Sequence, residues 1–362
     1  MKKLFFAVIL CLFFHVNFAS ALTFNVTFDS SVMASTNAAQ ITNAFTTVTQ
    51  SFSDLFTNAA TIRITVYWGP VGPFTSGIGL GRSQFVLVGP ASYSQITNAL
   101  RTHRASAADT NSVASLPATD PTGSENWLVA FPEARVLGFV SANDPTEDGE
   151  IGFATNLNYT FDPNNRSVPG KFDFIGVAQH ELSEIMGRNT TQLDPSFGFV
   201  PYDLFRFTNS GARNFDPDAT NAYFSVDNGV TALKLFYTNQ FMGDIQDWKS
   251  SAVPDAFDAF VSAGHINPMS TVDITSMDVL GYNGPHPLAP PRLFATKTNG
   301  NVQVRFVNSP GVTFTVLAAT NIAVPEANWT VLGSATESPA GQFTFTDTTA
   351  TNGVRFYSVR SP

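Results

Sequence analysis

The residues best equipped for chemistry stand together in His180-Glu181-Leu182-Ser183-Glu184-Ile185-Met186-Gly187. At about 100° per residue, Ala178, Leu182 and Ile185 gather on one side of a helix, and His180, Glu181 and Glu184 on the other. One turn separates His180 from Glu184, so both can hold one metal ion with Glu181 beside them. That is the pattern of a zinc-hydrolase helix in which Glu replaces the usual second His. A hydrolytic zinc site needs three protein ligands and an open position for water. His180 and Glu184 would be two of the ligands. Glu181 would take the proton from the water and pass it to the leaving amine. Gly187 would end the helix and let the chain turn back toward the ion. The plainer alternative makes the three polar residues only the solvated face of an amphipathic helix.

The third ligand is less legible. Asp203 sits in the mostly apolar run Tyr202-Asp203-Leu204-Phe205-Arg206, where an acid is costly unless paired or metal-bound. We expect Asp203 to be the third ligand, with Asp194 and His265 as the other candidates. An ion pair with Arg206 is the structural alternative for Asp203. The acidic turns at Asp144 to Asp148, Asp216 to Asp218 and Asp227 to Gly229 could hold calcium, but none has the spacing of a calcium loop. Glu181 and Glu184 share one helix face, which disfavours a glycoside hydrolase whose two carboxylates flank a sugar.

Several elements must position this helix. Leu22, Phe24, Val26 and Phe28 alternate as a strand. Ile41, Ala44, Phe45, Val48, Phe52, Leu55 and Phe56 follow at helical spacing, and alternation returns at Ile62, Ile64, Val66 and Trp68. Strand, helix and strand of this length predict a right-handed crossover in an α/β or α+β sheet. A second helix is expected over Tyr93 to His103, with Ser92 and Gln95 as a capping box. The Ser/Ala/Asp-rich stretch from Ala105 to Asp120 reads as an exposed loop. Trp127 to Phe131 reads as a buried strand, Glu133 to Gly138 as a short helix, and Asp148 to Phe153 as a turn into a strand. Four prolines between Gly284 and Pro291 make a stiff linker. Beyond it, alternation at Val302/Val304/Phe306, Phe314/Val316, Trp329/Val331 and Phe343/Phe345 predicts a small β-sandwich of the immunoglobulin or fibronectin type III kind.

The chain opens like a secretory signal, with Lys2 and Lys3, an apolar run from Leu4 to Phe14, and Ala19-Ser20-Ala21 as a cleavage site. Its apolar run is too short to span a membrane. Cys11 is the only cysteine and lies within this segment, so the mature chain has no disulfide or thiolate site. An exported protein without disulfides suits a bacterial source and a secreted, extracellular or periplasmic location. Losing both leader lysines moves the net charge from −9 to −11, which argues against nucleic acid or an anionic membrane as partner.

Read in order, these pieces resemble the metzincin and matrixin metalloproteases. More closely, they resemble a group of predicted secreted bacterial metalloproteases with a His-Glu-x-x-Glu-x-Met-Gly-Arg helix. The likeness is carried by Phe28 to Val32, Ala91 to Gln95, Ser115 to Pro117, Asp148 to Phe153 and Phe172 to Arg188. It continues through Tyr202 to Phe207, Tyr223 to Gly229, Gly243-Asp244, Asp247-Trp248 and Asp273 to Tyr282. The resemblance implies that His180 and Glu184 ligate zinc and Glu181 is the general base. It places Met269 at the methionine turn beneath the metal and Thr271 to Tyr282 in the closing helix. Two positions depart from the wider families: Glu184 replaces the second zinc histidine, and Thr190 stands where a third ligand is found. A carboxylate in place of imidazole lowers the net charge of the site and suits harder metals somewhat better than zinc.

The expected organisation is a signal peptide over 1–21, a metzincin-like α/β (α+β) domain over 22–283, a linker over 284–291 and a β-sandwich over 292–362. The expected activity is zinc-dependent (or other divalent-metal) hydrolysis of a protein or peptide substrate, with the sandwich contacting a surface or matrix ligand. The alternative is a non-catalytic secreted adhesion or binding protein that keeps the protease fold.

Overall fold

Parallel strands joined through a helix form the frame on which everything else is hung. The computed structural model describes residues 22–284 except 76–78, 125 and 195, and residues 293–360 except 299–300, 308–313, 323, 325–327, 339–341 and 351–353. The expected leader, and the expected linker apart from Gly284, lie outside the described residues.

Strand β1 (Thr23–Phe28) leads through the short helix α1 (Ser30–Met33) and the long helix α2 (Ala38–Leu55) into β2 (Thr61–Trp68). β1 and β2 pair in parallel, from Thr23 opposite Thr61 to Phe28 opposite Val66. The apolar spacing of α2 buries Ile41, Ala44, Phe45, Val48 and Phe52, and Phe45 and Phe52 meet Phe28 and Phe24 of β1 edge to face. Next comes a segment the sequence pattern did not reveal, the strands β3 (Gly81–Phe85) and β4 (Leu87–Ala91). Helix α3 (Tyr93–His103) carries the expected capping box between Ser92 and Gln95.

The loop expected at Ala105 to Asp120 is corrected. Ala107–Ala114 forms helix α4, capped by Ser106 and burying Asp109, Ser112 and Val113. Its buried side is mostly small and polar, so no hydrophobic periodicity marks it; the Ser106 cap ahead of Asp109 is the signal that does. Strand β5 (Trp127–Ala130), helix α5 (Phe131–Val136) and strand β6 (Gly149–Phe153) follow close to expectation.

The first sheet runs β1-β2-β6-β3. β6 is parallel to β2, whereas β3 is antiparallel to β6 and forms the sheet's edge. Short parallel strands β7 (Tyr159–Thr160) and β8 (Phe172–Asp173) lead into helix α6 (Phe174–Ile185), which bears the His-Glu signature. Phe174 starts α6 inside an aromatic cluster with Trp68, Phe153, Tyr159 and Phe161. α6 then lies against α2, β3 and β6. Gly187, with φ at +116°, follows the helix end, as the sequence predicts, but the chain just beyond it brings no ligand back to His180 and Glu184: Thr190 bonds to Asp203 instead.

Beyond α6, a 3-10 turn at Pro201–Phe205 precedes a second small sheet of β9 (Arg206–Asn209), β10 (Ala212–Arg213), β11 (Tyr223–Phe224) and β12 (Lys234–Leu235), in the order β10-β9-β11-β12. A long irregular stretch then reaches α7 (Thr271–Asp278), shorter than the closing helix expected to Tyr282. The whole is a mixed α+β arrangement around one extended core.

A separate cluster organises the C-terminal strands, β13 (Phe294–Thr298), β14 (Asn301–Val307), β15 (Thr315–Ala319), β16 (Thr330–Ser334), β17 (Thr336–Glu337), β18 (Gln342–Asp347) and β19 (Phe356–Arg360). They form two antiparallel sheets, β13-β14-β18-β17 and β16-β15-β19. Phe306, Phe314 and Phe343 meet with ring centroids 4.9–5.1 Å apart and share a core with Tyr357 and Val359 of β19. No helix among the described residues is long and apolar enough to cross a membrane.

Candidate metal centre

The polar face of α6 is turned inward. Glu181 and Glu184 are only 7% and 5% exposed, which removes the reading of these residues as a solvated helix face. Burying two carboxylates side by side is costly unless other groups compensate the charge, so the neighbours decide what the site is.

His180 is oriented from behind. Its Nδ1 lies 2.9 Å from the carbonyl oxygen of Ala256. A carbonyl only accepts, so Nδ1 carries the proton and donates it, leaving Nε2 to face forward. Nε2 stands 3.4 Å from Glu184 Oε1 and 3.3 Å from Asp247 Oδ1. Among the described residues, His180, Glu184 and Asp247 form the one group of potential metal ligands whose donor atoms all lie within 4.8 Å of one another. In a tetrahedral site with metal–ligand bonds of about 2.1 Å, neighbouring donor atoms are about 3.4 Å apart. The two separations from Nε2 match that value. A ring nitrogen and two carboxylate oxygens converging this closely call for positive charge beside them, which a metal ion, a proton on the imidazole or the adjoining Arg188 guanidinium can supply.

The group that could hold an ion therefore differs from the expected one at its third member. Asp203 is not brought to the cluster. Its Oδ1 accepts hydrogen bonds from Thr190 at 2.5 Å and Gln192 at 2.9 Å, and its Oδ2 accepts from the Val200 amide at 3.0 Å. Those donors satisfy the buried acid that the sequence analysis assigned to metal or to Arg206. Arg206 instead donates to Asn214 and to the Ile245 carbonyl. Asp194 is an exposed turn residue whose carboxylate receives Ser196, and His265 is exposed. Thr190, expected from the resemblance to stand at a third-ligand position, donates to Asp203 instead. The acidic turns considered for calcium satisfy themselves: Asp148 pairs with Arg135, Asp216 accepts the Asp218 amide, and Asp227 accepts from Ser225 and Thr231.

Asp247 reaches the site because Trp248 anchors its segment. The indole is fully buried and donates to Asp273 Oδ1 at 2.7 Å. The Trp248 amide bonds to the Phe257 carbonyl, while the Asp247 carbonyl accepts from Tyr237. The same stitching presents the Ala256 carbonyl to His180, so one loop supplies both the second carboxylate of the cluster and the group that orients the imidazole.

Glu184 is oriented from three sides. Ser83 of β3 donates to Oε2 at 2.6 Å and Gln246 to Oε1 at 3.1 Å, and Arg188 Nη2 lies 3.5 Å from Oε1. Burial alone would raise its pKa, but the hydrogen bond and charge of His180, with Arg188 and Ser83, outweigh it and hold the carboxyl down to about 2. For His180, burial works against protonation, yet Asp247 and Glu184 overcome it and keep the imidazole well above its usual value. Glu181 moves the other way. Burial, then the negative charge of Glu184, raise its carboxyl well above the ordinary range. Two glutamates three residues apart are thus driven in opposite directions by their surroundings, one fixed as an anion and one able to take a proton.

Glu181 also has a made-to-measure neighbour. A Cβ on Gly81 of β3 would lie 2.5 Å from Glu181 Oε1, so glycine opens the space its carboxylate fills. The edge strand β3 therefore touches both glutamates, through Gly81 and Ser83.

Sequence reasoning found His180, Glu181 and Glu184 but missed Ser83, Arg188, Gln246 and Asp247 as their partners. Asp247-Trp248 did carry part of the family likeness, and an acid beside a large apolar anchor is a usable signal. Arg188 closes the helix signature itself. Met269 is partly buried against the main core. No protein-family model matches the chain, and no curated protein matches its sequence.

Proposed function

We propose that this chain is a metal-dependent peptide hydrolase with a metzincin-like catalytic unit, in which His180, Glu184 and Asp247 hold a divalent ion and Glu181 is the general base. The observation that carries this reading is the convergence of His180 Nε2 with Glu184 Oε1 and Asp247 Oδ1 at 3.4 and 3.3 Å, one residue from a buried glutamate with a raised pKa. One imidazole and two carboxylates form a donor set that suits zinc and, because of its oxygens, also manganese or iron.

When bound, the ion would supply Lewis-acid polarisation of the scissile carbonyl and a lower pKa for the attacking water. Glu181, one residue from the His180 ligand, receives the proton that the water gives up. It then delivers the same proton to the amide nitrogen as the carbon–nitrogen bond breaks, and so returns to its carboxylate form. A base held above the ordinary carboxylate range suits this double duty better than one held near 2. Ser83 and Gln246 keep Glu184 from rotating during the cycle, and the Ala256 carbonyl keeps His180 in one tautomer. A peptide substrate is supported by β3, an edge strand with no strand paired on its outer side among the described residues. An extended peptide lying along that edge would pass Gly81 and Ser83 and so the two glutamates.

The test is hydrolysis of a peptide library by the purified protein beside Glu181→Gln. We expect Glu181→Gln to lower the rate by about 10²- to 10⁴-fold while the metal content stays unchanged. Equal cleavage by both proteins would remove Glu181 from the reaction. One observation favours the second reading, a non-catalytic binding protein on the same fold: Arg188 already neutralises part of the carboxylate charge through Asp247 and Glu184. In that case the protein would retain no ion and cleave no peptide.

A further inference from the structure

Arg188 is the most deeply placed charge near the cluster, with no exposed side-chain surface. Its Nη1 lies 2.6 Å from Asp247 Oδ1 and its Nη2 3.5 Å from Glu184 Oε1. These are the same two oxygens that face His180 Nε2. Its Nε donates to Ser183 Oγ at 2.8 Å, and the guanidinium lies over the Phe257 ring at 4.4 Å. The cation is therefore fixed by a helix hydroxyl and an aromatic face as well as by the carboxylates.

We propose that Arg188 is the resident counter-charge of the metal centre: it holds the ligand carboxylates together when no ion is present and sets how tightly a divalent ion is held. This rests on the reading of His180, Glu184 and Asp247 as ligands. A carboxylate oxygen has lone pairs enough to accept from arginine and also bind an ion, so Arg188 can stay in place on loading. Its positive charge then repels the incoming ion across a buried, poorly screened distance. Its loss should accordingly strengthen metal binding, whereas loss of an ordinary ligand-positioning residue weakens it. The ligands have other supports. Glu184 keeps Ser83 and Gln246, His180 keeps the Ala256 carbonyl, and Asp247 keeps the anchored Trp248 backbone.

The experiment titrates the metal-stripped full chain with zinc alone and with manganese alone, for wild type, Arg188→Met and Arg188→Lys, and records melting with and without zinc. Arg188→Met should bind zinc at least about ten-fold more tightly than wild type and melt lower when metal-free, so that zinc raises its melting temperature by a larger interval. Arg188→Lys keeps the charge and should stay within about three-fold of wild-type affinity. A methionine variant that folds only when zinc is supplied would support the same conclusion. Unchanged or weaker zinc binding by Arg188→Met, or a variant unfolded both with and without zinc, would overturn the proposal and make Arg188 a scaffold residue. Absence of zinc binding by wild type and Arg188→Met alike would overturn the metal reading itself, and this proposal with it.

Discussion

A Cβ at residue 81 would lie 2.5 Å from Glu181 Oε1 and 2.7 Å from its Cγ, closer than atoms can rest, so Gly81→Ala must displace the Glu181 side chain, the proposed general base. His180, Glu184 and Asp247 do not depend on that space. We therefore expect Gly81→Ala to keep its metal and lose about 100-fold in kcat, the cost of a misplacement near 1 Å; peptide hydrolysis with metal analysis on the same sample checks this. The pH dependence follows from the same residue. Glu181 must be a carboxylate to take a proton, and burial with the Glu184 charge holds its pKa well above the ordinary glutamate value. Hydrolysis should fall as pH drops through that raised pKa, and the residual activity of Glu181→Gln should lack this acidic limb. The residue types of the α6 signature were legible in the sequence because their chemistry depends on spacing within one helix. Asp247 was not, because its place depends on Trp248 and a loop some 60 residues further along the chain, whose folding no local periodicity encodes.

At the scale of elements, α6 works because both of its ends are fixed. Asp173 stands at its N-cap position, its carboxylate held by Arg166 and the Asn267 amide, and Gly187 closes it at φ +116°. A Cβ at 187 would also meet Glu133 Oε2 at 2.8 Å. Gly187→Ala should cost about 1–3 kcal/mol of stability, read by denaturant unfolding. Helix α4 supplies a pH-dependent counterpart. Asp109 is raised to about 7 by burial and by the nearby charge of Asp278. Because its folded pKa lies above the unfolded value of 3.8, its favourable contribution is complete below that value and is lost as pH rises through about 7. Asp109→Asn should remove this decline and raise the melting temperature at pH 7.5 by about 2–4 °C, the shift given by about 1 kcal/mol in a domain of this size. Elements with strong apolar periods, such as β1, α2, β2 and α3, were legible in the sequence to within a few residues. β3 and α4 were not, since Arg82 and Gln84 point outward from β3 and α4 buries Asp109 and Ser112.

The molecule as a whole is organised around two cores, one extending from Leu22 to Tyr282 and one built on Val304, Phe306, Phe314 and Phe343. The sequence displayed this division through its change of texture after Gly284, where helical spacings give way to short alternating strands. Truncating Phe306 to Ala should cost about 3–5 kcal/mol in the C-terminal unit alone, lowering one calorimetric transition while leaving metal content unchanged. The acidic balance of the chain, at net −9, is consistent with cation binding but does not locate it; the candidate among the described residues is the cluster of His180, Glu184 and Asp247. The most direct measurement is therefore elemental analysis of the intact purified protein beside His180→Ala. The account predicts about one equivalent of zinc or another transition metal per chain, lost in His180→Ala together with the stability the ion confers. The same absence of metal in both proteins, with equal melting temperatures, would contradict it and leave His180, Glu184 and Asp247 as a buried, proton-bridged structural cluster.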